Sequence, residues 1–284
     1  MSGEARPGES QKVRRQIPFW SWLWFILGGL YFILPLYATL DYSLRMERDK
    51  IGFKAYVSAF EDPGFLQSFG YSMGLAAITI IVSILLIVPT AYWIRLRLPE
   101  ARRITEFITL LPFVVPAIIL VFGLIRIYSA PIKLPFTSIV LMDSLTTSTY
   151  GTVILIVAGY MVLGLPYMYR SIDTGMRTVD VRTLTEAAQS LGANGLTIMF
   201  RIILPNLRTA LLSGALLTFA IVLGEVVLAS YLGIAAFGPY LFLLGQHRAF
   251  EPAALTFTTF LLTWAAMGII QLLTGGQGQV TGAH

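Results

Sequence analysis

Long stretches without a charged side chain constrain this sequence more than any other feature. Five contain no Asp, Glu, Lys or Arg: residues 16–40, 63–94, 107–125, 144–169 and 252–283. Each is long enough to cross about 30 Å of hydrocarbon as a helix. A sixth stretch, 209–233, is equally apolar except for Glu225. Segments of this length satisfy their backbone polar groups in lipid as helices, because barrel strands take only about ten residues. The sequence therefore predicts an all-α membrane protein with six transmembrane helices.

The positions of the basic residues predict the orientation of these helices. Placing the N-terminus inside puts 13 of the 20 basic residues on the cytoplasmic side, the bias typical of membrane proteins. They are Arg6, Lys12, Arg14, Arg15, Arg95, Arg97, Arg102, Arg103, Arg170, Arg177, Arg182, Arg201 and Arg208. We therefore expect both termini in the cytoplasm. No basic stretch interleaves with aromatic residues on a soluble module, so nucleic acid is not an expected partner.

We expect the chain to divide into a flexible cytoplasmic tail at 1–15, a transmembrane domain at 16–274 and a C-terminal tail at 275–284. An outer loop at 41–67 contains an amphipathic stretch that favours a short surface helix. The sequence has no cysteine, no phosphate-binding loop and no H-E-x-x-H or G-x-S-x-G motif. We expect no metal site, no catalytic residue and no enzyme activity in this chain.

The most informative segment is the long inner loop at 171–206, between the fourth and fifth spans. It is too long for a simple turn. It is neither low in complexity nor rich enough in Pro and Gly to be disordered, so we expect it to fold. We predict two short helices in this loop. Thr183 or Thr185 caps a first helix that starts near Leu184, and Gly192 ends it. Asn194-Gly195 then turns the chain, Leu196 to Ile203 form the second helix, and Pro205 stands at the first turn of the fifth span.

Within this loop stands a spaced pattern of seven residues. It reads Glu186-Ala187-Ala188, three residues, Gly192, nine residues, Ile202, one residue, and Leu204-Pro205. The pattern resembles the signature loop of inner-membrane permeases of binding-protein-dependent ATP-binding-cassette (ABC) importers, and all seven residues match in type and spacing. The likeness extends over about 64–270 and is greatest for the spermidine/putrescine type.

The resemblance implies a function and a set of partners. The loop would be the coupling helix, with Ala187 and Ala188 as a small-residue face, Glu186 as a charge for the partner and Gly192 as the turn. The partners would be two ATPase subunits that bind ATP and Mg, a second, homologous permease subunit and an extracytoplasmic solute-binding protein. The chain would lie in a bacterial inner membrane, in contact with lipid, and hold no cofactor. A polyamine is the expected solute, and ferric iron, sulfate, thiamine and phosphonate are alternatives.

Four residues are candidates for the substrate path: Glu225, Gly224, Pro116 and Tyr160. The two prolines of Leu111-Pro-Phe-Val-Val-Pro116 should kink the third span, and such breaks usually line a cavity in transporters. A carboxylate inside an apolar span is costly unless it is paired or hydrated. Glu225 either faces the path or pairs with Arg126. A secondary transporter or channel is the alternative class, although these two residues are its only apparent intramembrane charges.

Overall fold

The structure of the chain is a computed structural model that describes residues 19–47, 50–133, 140–142 and 144–275. The N-terminal tail predicted at 1–15 lies outside the described residues, as does all but residue 275 of the tail predicted at 275–284.

The described elements are almost all helical, which confirms the all-α class. In chain order they are α1 (Phe19–Leu44), α2 (Lys54–Glu61), α3 (Pro63–Arg97), α4 (Ala101–Val114), α5 (Ala117–Tyr128), β1 (Ile132–Lys133), β2 (Val140–Met142), α6 (Thr149–Thr178), α7 (Val181–Ser190), α8 (Gly195–Ile198), a π-helical turn (Met199–Ile203), α9 (Leu204–Asn206), α10 (Arg208–Gly224), α11 (Val227–Tyr231), α12 (Phe237–His247) and α13 (Glu251–Gly275). The two short strands pair antiparallel.

Four described helices, α1, α3, α6 and α13, are long and apolar enough to cross a membrane. Two further stretches pass the same test only as bent pairs. The helices α4 and α5 meet at 102°, and the stretch from α8 to α9 meets α10 at 74°. The described part thus has four continuous spans, and six if each bent pair is one span.

The bend between α4 and α5 follows from one proline. Pro112 lies inside α4 without ending it, whereas Pro116 is the N-cap of α5. Val115, which precedes Pro116, is extended at φ −88° and ψ 114°. A proline ring disfavours the helical conformation of the residue before it, so the helix ends there. The kink predicted from the two prolines is confirmed, and the second proline produces it.

The centre of the molecule is the packing of α3, α6 and α10. Small residues allow the backbones of α6 and α10 to approach closely, as is common between membrane helices. A Cβ added at Gly214 of α10 would lie 2.8 Å from Met168 Sδ, and one at Gly164 of α6 would lie 3.1 Å from Thr218 Cγ2. These glycines therefore set the distance between the two helices.

The helices α1, α2 and α13 form the periphery. Tyr42 stacks on Phe250 with ring centroids 4.8 Å apart, and the hydroxyls of Ser43 and Tyr56 lie 2.8 Å apart. The helix α2 is the short helix predicted within 41–67. It lies at the end of the bundle opposite the 171–206 loop, and we call these two ends the far end and the loop end.

Candidate functional site

The first helix of the 171–206 loop begins earlier than predicted. A helix starting near Leu184 with Thr183 or Thr185 as its cap was expected, but α7 starts at Val181 with Asp180 as its N-cap. Asp180 is left-handed at φ 45°, and its Oδ2 accepts a hydrogen bond of 2.7 Å from Thr183 Oγ1. This hydrogen bond lowers the pKa of the Asp180 carboxyl. The capping prediction was wrong because Asp180, a residue type that tolerates the left-handed region, makes the turn.

The helix α7 buries one face and exposes the other. Val181, Thr185 and Ala188 are buried, whereas Glu186 and Ala187 are exposed. Thr185 Oγ1 donates to the carbonyl of Val181 and lies 3.1 Å from Tyr92 Oη on α3. The prediction that Ala187 and Ala188 share a partner-facing surface is therefore wrong for Ala188. It faces inward, since Val181, Thr185 and Ala188 recur at the spacing of one helix face.

The glycine turn after α7 is the one predicted. Gly192 has φ +80° and its N–H donates to the carbonyl of Gln189 at 2.9 Å. Asn194 then caps α8, because its Oδ1 accepts from the N–H of Thr197 at 2.8 Å. A left-handed glycine followed by an Asn cap reverses the chain within a few residues. Gly192 ends the first helix, as expected, but the pair predicted to turn the chain begins the second helix instead: Asn194 is the N-cap of α8 and Gly195 is its first residue.

The second helix is less regular than predicted. In place of one helix over Leu196 to Ile203 stand α8, the π-helical turn and α9. Of the remaining pattern residues, Ile202 and Leu204 are half-buried against the core at the loop end, whereas Pro205 is exposed. Pro205 lies in α9, before the 74° bend, and not at the first turn of α10. The apolar part of the signature thus anchors the loop to the bundle.

An exposed apolar surface surrounds the Gly192 turn. Leu191 is 89% exposed, Leu196 73% and Phe200 55%. We call these three residues the loop patch. Large apolar side chains clustered on a polar loop mark a surface that another molecule covers. Sequence reasoning missed the patch, although large apolar residues on both sides of a glycine turn were a signal for it.

Glu225 lies at a break in the chain and not inside a continuous span. The helix predicted over 209–233 ends at Gly224 and resumes at Val227. Glu225 is buried, and its carboxylate accepts hydrogen bonds of 2.8 to 3.3 Å from the N–H groups of the first turn of α11. The prediction of one continuous helix over 209–233 was wrong. The carboxylate accepts the hydrogen bonds of N–H groups that lack an intrahelical partner, which allows the helix to restart in an apolar setting.

The other path candidates surround the two breaks. Tyr160 on α6 is buried in the same cluster as Leu228 and Ala229 of α11. Gly224 and Pro116 are exposed and stand at the two breaks themselves. The helices that follow the two breaks, α5 and α11, pack against each other.

Arg126 does not pair with Glu225. Arg126 is exposed, and within the described part of the chain no ion pair joins these two residues. The bonds made by the Glu225 carboxylate go to the backbone of α11. The pairing alternative therefore has no support in the structure.

A cluster of charges at the loop end was not foreseen. Asp173 of α6 lies 2.6 Å from Arg177, 3.3 Å from Arg95 of α3 and 3.4 Å from Arg102 of α4. Glu106 of α4 adds contacts of 3.0 Å to Arg102 and 3.3 Å to Arg177. We call these five residues the Asp173 cluster. It joins three helices at the end of the molecule where α7 begins.

The described helices line, among others, two large cavities. One of 580 Å³ is at the far end, and six polar but uncharged residues share its wall: Gln67, Tyr71, Thr147, Ser148, Thr149 and Thr152. The other, of 1010 Å³, is an open groove between α4, α6 and α10 at the loop end, and Glu106, Asp173, Arg170 and Arg177 are on its wall. The two cavities therefore differ in charge.

The described part of the chain is a polytopic helical membrane protein with four continuous spans, two sharply bent helix pairs and a folded loop that exposes apolar side chains. Its sequence matches the family described as binding-protein-dependent transport system inner membrane component over residues 100–275, more than half of the chain. The chain therefore belongs to this family, and it is a permease subunit of a type I ABC importer.

The relatives of this chain are named for transport of different solutes. The spermidine/putrescine permease PotB of Haemophilus influenzae is 28% identical over 231 residues, which cover 78% of each chain. A probable molybdenum ABC transporter permease of Haloferax volcanii is 27% identical over 221 residues, 75% of this chain and 74% of the relative. A bacterial alginate ABC transporter, solved with an alginate-bound periplasmic protein, has the same fold at a TM-score of 0.64 and 15% identity, over 90% of this chain and 94% of that one.

Proposed function

We propose that this permease is driven by two separate ABC ATPase subunits, which dock on the 171–206 loop from the cytoplasm. The observation that supports this is the loop patch, which exposes Leu191, Leu196 and Phe200 around the Gly192 turn. Covering such a surface with a partner removes apolar area from water and stabilises the assembly. The exposed Glu186 and Ala187 stand on the adjoining face of α7 and complete the docking surface.

The buried face of the loop would transmit the movement of the ATPases. Val181 and Ala188 pack in one cluster with Val88 of α3 and Ile172 of α6. A displacement of α7 must therefore move the loop ends of α3 and α6, because packed cores resist local deformation. In our proposal this movement switches the permease between two openings.

The complete importer would contain two further kinds of partner besides the ATPases. A second, homologous permease subunit forms the other half of the pathway, and an extracytoplasmic binding protein delivers the solute. The ATPases hold ATP and Mg, and this chain supplies no cofactor. The alginate transporter solved with its periplasmic protein supports the presence of a binding protein by its shared fold.

A polyamine is the solute we propose first, on the strength of the spermidine/putrescine relatives. Molybdate, ferric iron, sulfate, thiamine and phosphonate are the alternatives. Among the residues described on the cavity walls, Glu106 and Asp173 are the carboxylates, and both are paired with arginines. A polycation would therefore be recognised mainly by the partner permease and the binding protein. Thermal stabilisation of the companion binding protein by these solutes would identify the ligand, since binding raises apparent stability.

The docking proposal is tested by making the loop patch polar. We expect the pair Leu191→Ser and Leu196→Ser to reduce recovery of the ATPase with the permease and to lower transport, without changing the thermal unfolding of the permease. Ile51→Ser is the matched control, since Ile51 is an exposed aliphatic residue at the far end. Normal ATPase recovery and transport in the double variant would refute the proposal.

A further inference from the structure

The connection between α3 and α4 concentrates positive charge at the loop end. Four arginines stand within nine residues, Arg95, Arg97, Arg102 and Arg103, together with one acid, Glu100. Their surroundings divide them into two pairs. Arg95 and Arg102 belong to the Asp173 cluster, at 3.3 and 3.4 Å from the Asp173 carboxylate.

The other two arginines point away from this cluster. Arg97 and Arg103 are exposed, and no acid of the described part of the chain lies within ion-pair distance of either. Their charge is therefore available to an external anion. Glu100, between them in the turn, is also exposed and offsets one of the two charges.

Exposed aromatic side chains accompany both arginines. Trp93 precedes Arg97 by four residues on α3, and Phe107 follows Arg103 by four residues on α4. Residues four apart lie on the same face of a helix. Trp93 and Phe107 are both exposed, as are Leu98 and Ile104 nearby. Each guanidinium thus stands one helical turn beyond an apolar ring, towards the end of its helix.

This arrangement matches the layers of a bilayer surface. Aromatic rings, Trp above all, favour the interface, and Arg side chains extend from apolar surface towards headgroups. We infer that Arg97 and Arg103 bind the headgroup of an anionic phospholipid such as phosphatidylglycerol, whose acyl chains cover Trp93 and Phe107. The guanidinium groups suit phosphate oxygens, and the net negative charge of the headgroup distinguishes this lipid from a zwitterionic one.

A lipid fits the surface better than an acidic protein does. The exposed rings of Trp93 and Phe107 stand on α3, which is long and apolar enough to cross a membrane, and on α4, which passes the same test together with α5. A soluble partner would cover the arginines but leave these rings to the bilayer. The loop patch, by contrast, has no guanidinium among its three residues. The inference does not depend on which solute is transported.

The test measures lipid retention by the full chain. Native mass spectrometry in detergent with added phosphatidylglycerol or phosphatidylcholine would compare the unaltered chain with the double variant Arg97→Gln and Arg103→Gln. At roughly one factor of five per basic residue at a membrane surface, we expect phosphatidylglycerol retention to weaken about tenfold to thirtyfold. Retention of phosphatidylcholine should not change, and 500 mM salt should weaken only the phosphatidylglycerol complex.

Controls separate this site from the alternatives. Lys54→Gln should have no effect, because Lys54 is already paired with Glu47 at 2.8 Å at the far end. Arg97→Lys with Arg103→Lys should retain most of the binding and show that the chain still folds. Wild-type retention of phosphatidylglycerol by the double Gln variant, or equal retention of both lipids by the unaltered chain, would overturn the inference. Displacement of the lipid by equimolar inorganic phosphate would also overturn the inference. The same holds if the double Gln variant loses binding of the ATPase but keeps binding of phosphatidylglycerol.

Discussion

Removing the charge of Asp173 should weaken the joint between α3, α4 and α6. Asp173→Asn keeps the shape of the side chain but removes the charge that attracts Arg95, Arg102 and Arg177. The Asp173 side chain is only 14% exposed, whereas the three arginines are 28 to 53% exposed. Exposed pairs contribute about 0.2 to 1 kcal/mol each, and burial of one partner raises the cost of breaking them. We expect a loss of about 1 to 3 kcal/mol in the free energy of unfolding.

The assay is denaturant unfolding of the purified chain in mild detergent, followed by the fluorescence of its tryptophans. A double-mutant cycle with Arg177→Gln isolates the closest contact and should give a measurable, favourable coupling energy. Asp41→Asn is the matched control. Asp41 pairs with Arg45 at 2.7 Å, but this is a single exposed pair at the C-terminal end of α1 that joins no other helix. The loss of this pair should destabilise the chain clearly less than the loss of the Asp173 charge. An equal, small effect of both substitutions would refute the view that Asp173 joins three helices.

Three further outcomes follow from the geometry. Gly192→Ala should lower the free energy of unfolding by about 1 to 2 kcal/mol and reduce ATPase recovery, because Gly192 has φ +80°. Gly195→Ala should be tolerated, since Gly195 lies in open space and has no positive φ. Equal effects of the two substitutions would contradict the turn assignment. Glu225→Gln should lower the free energy of unfolding by about 1 to 3 kcal/mol, because the amide N–H₂ group of the new side chain would face backbone N–H groups of α11. Adding Arg126→Met should not restore the lost stability. A full rescue would restore the hypothesis that Glu225 pairs with Arg126. The hydrogen bond from Thr183 lowers the pKa of Asp180, so its charge stabilises α7 above pH 3.8, the ordinary value, and this contribution is lost as pH falls through the lower folded pKa. Asp180→Asn should therefore speed amide exchange in α7 at pH 7, and the difference from the unaltered chain should shrink as pH falls below 3.8; a difference independent of pH would contradict it.

The sequence was sufficient for the four continuous spans and for the glycine turn that ends α7. Charge-free stretches predict helices because hydrocarbon excludes charge, and α3 starts at residue 63 as its stretch does. Gly192 was predictable because few residues other than glycine adopt a left-handed turn as readily, whereas the capping role of Asn194 was not predicted. The break at Pro116 was predictable because a proline restricts the conformation of the residue before it.

Features that depend on distant residues were not predictable. Asp173 meets Arg95 and Arg102, which lie more than seventy positions earlier in the chain. Counting these arginines for orientation gave no sign of their common partner. The restart after Glu225 was missed because the residues on both sides are apolar, so composition suggested one helix. The inward position of Ala188 depends on the start of α7 at Val181, which the left-handed Asp180 sets.

Cross-linking from the loop patch tests most directly whether this permease works through a separate ATPase. The chain has no cysteine, so Leu196→Cys introduces a single thiol that a benzophenone reagent labels. After illumination in membranes, we predict an adduct with a chain that mass spectrometry shows to contain a phosphate-binding loop G-x-x-x-x-G-K-[ST]. The same label at Ile51→Cys, at the far end, should give no such adduct. An ATPase adduct from Ile51→Cys and none from Leu196→Cys would contradict the account.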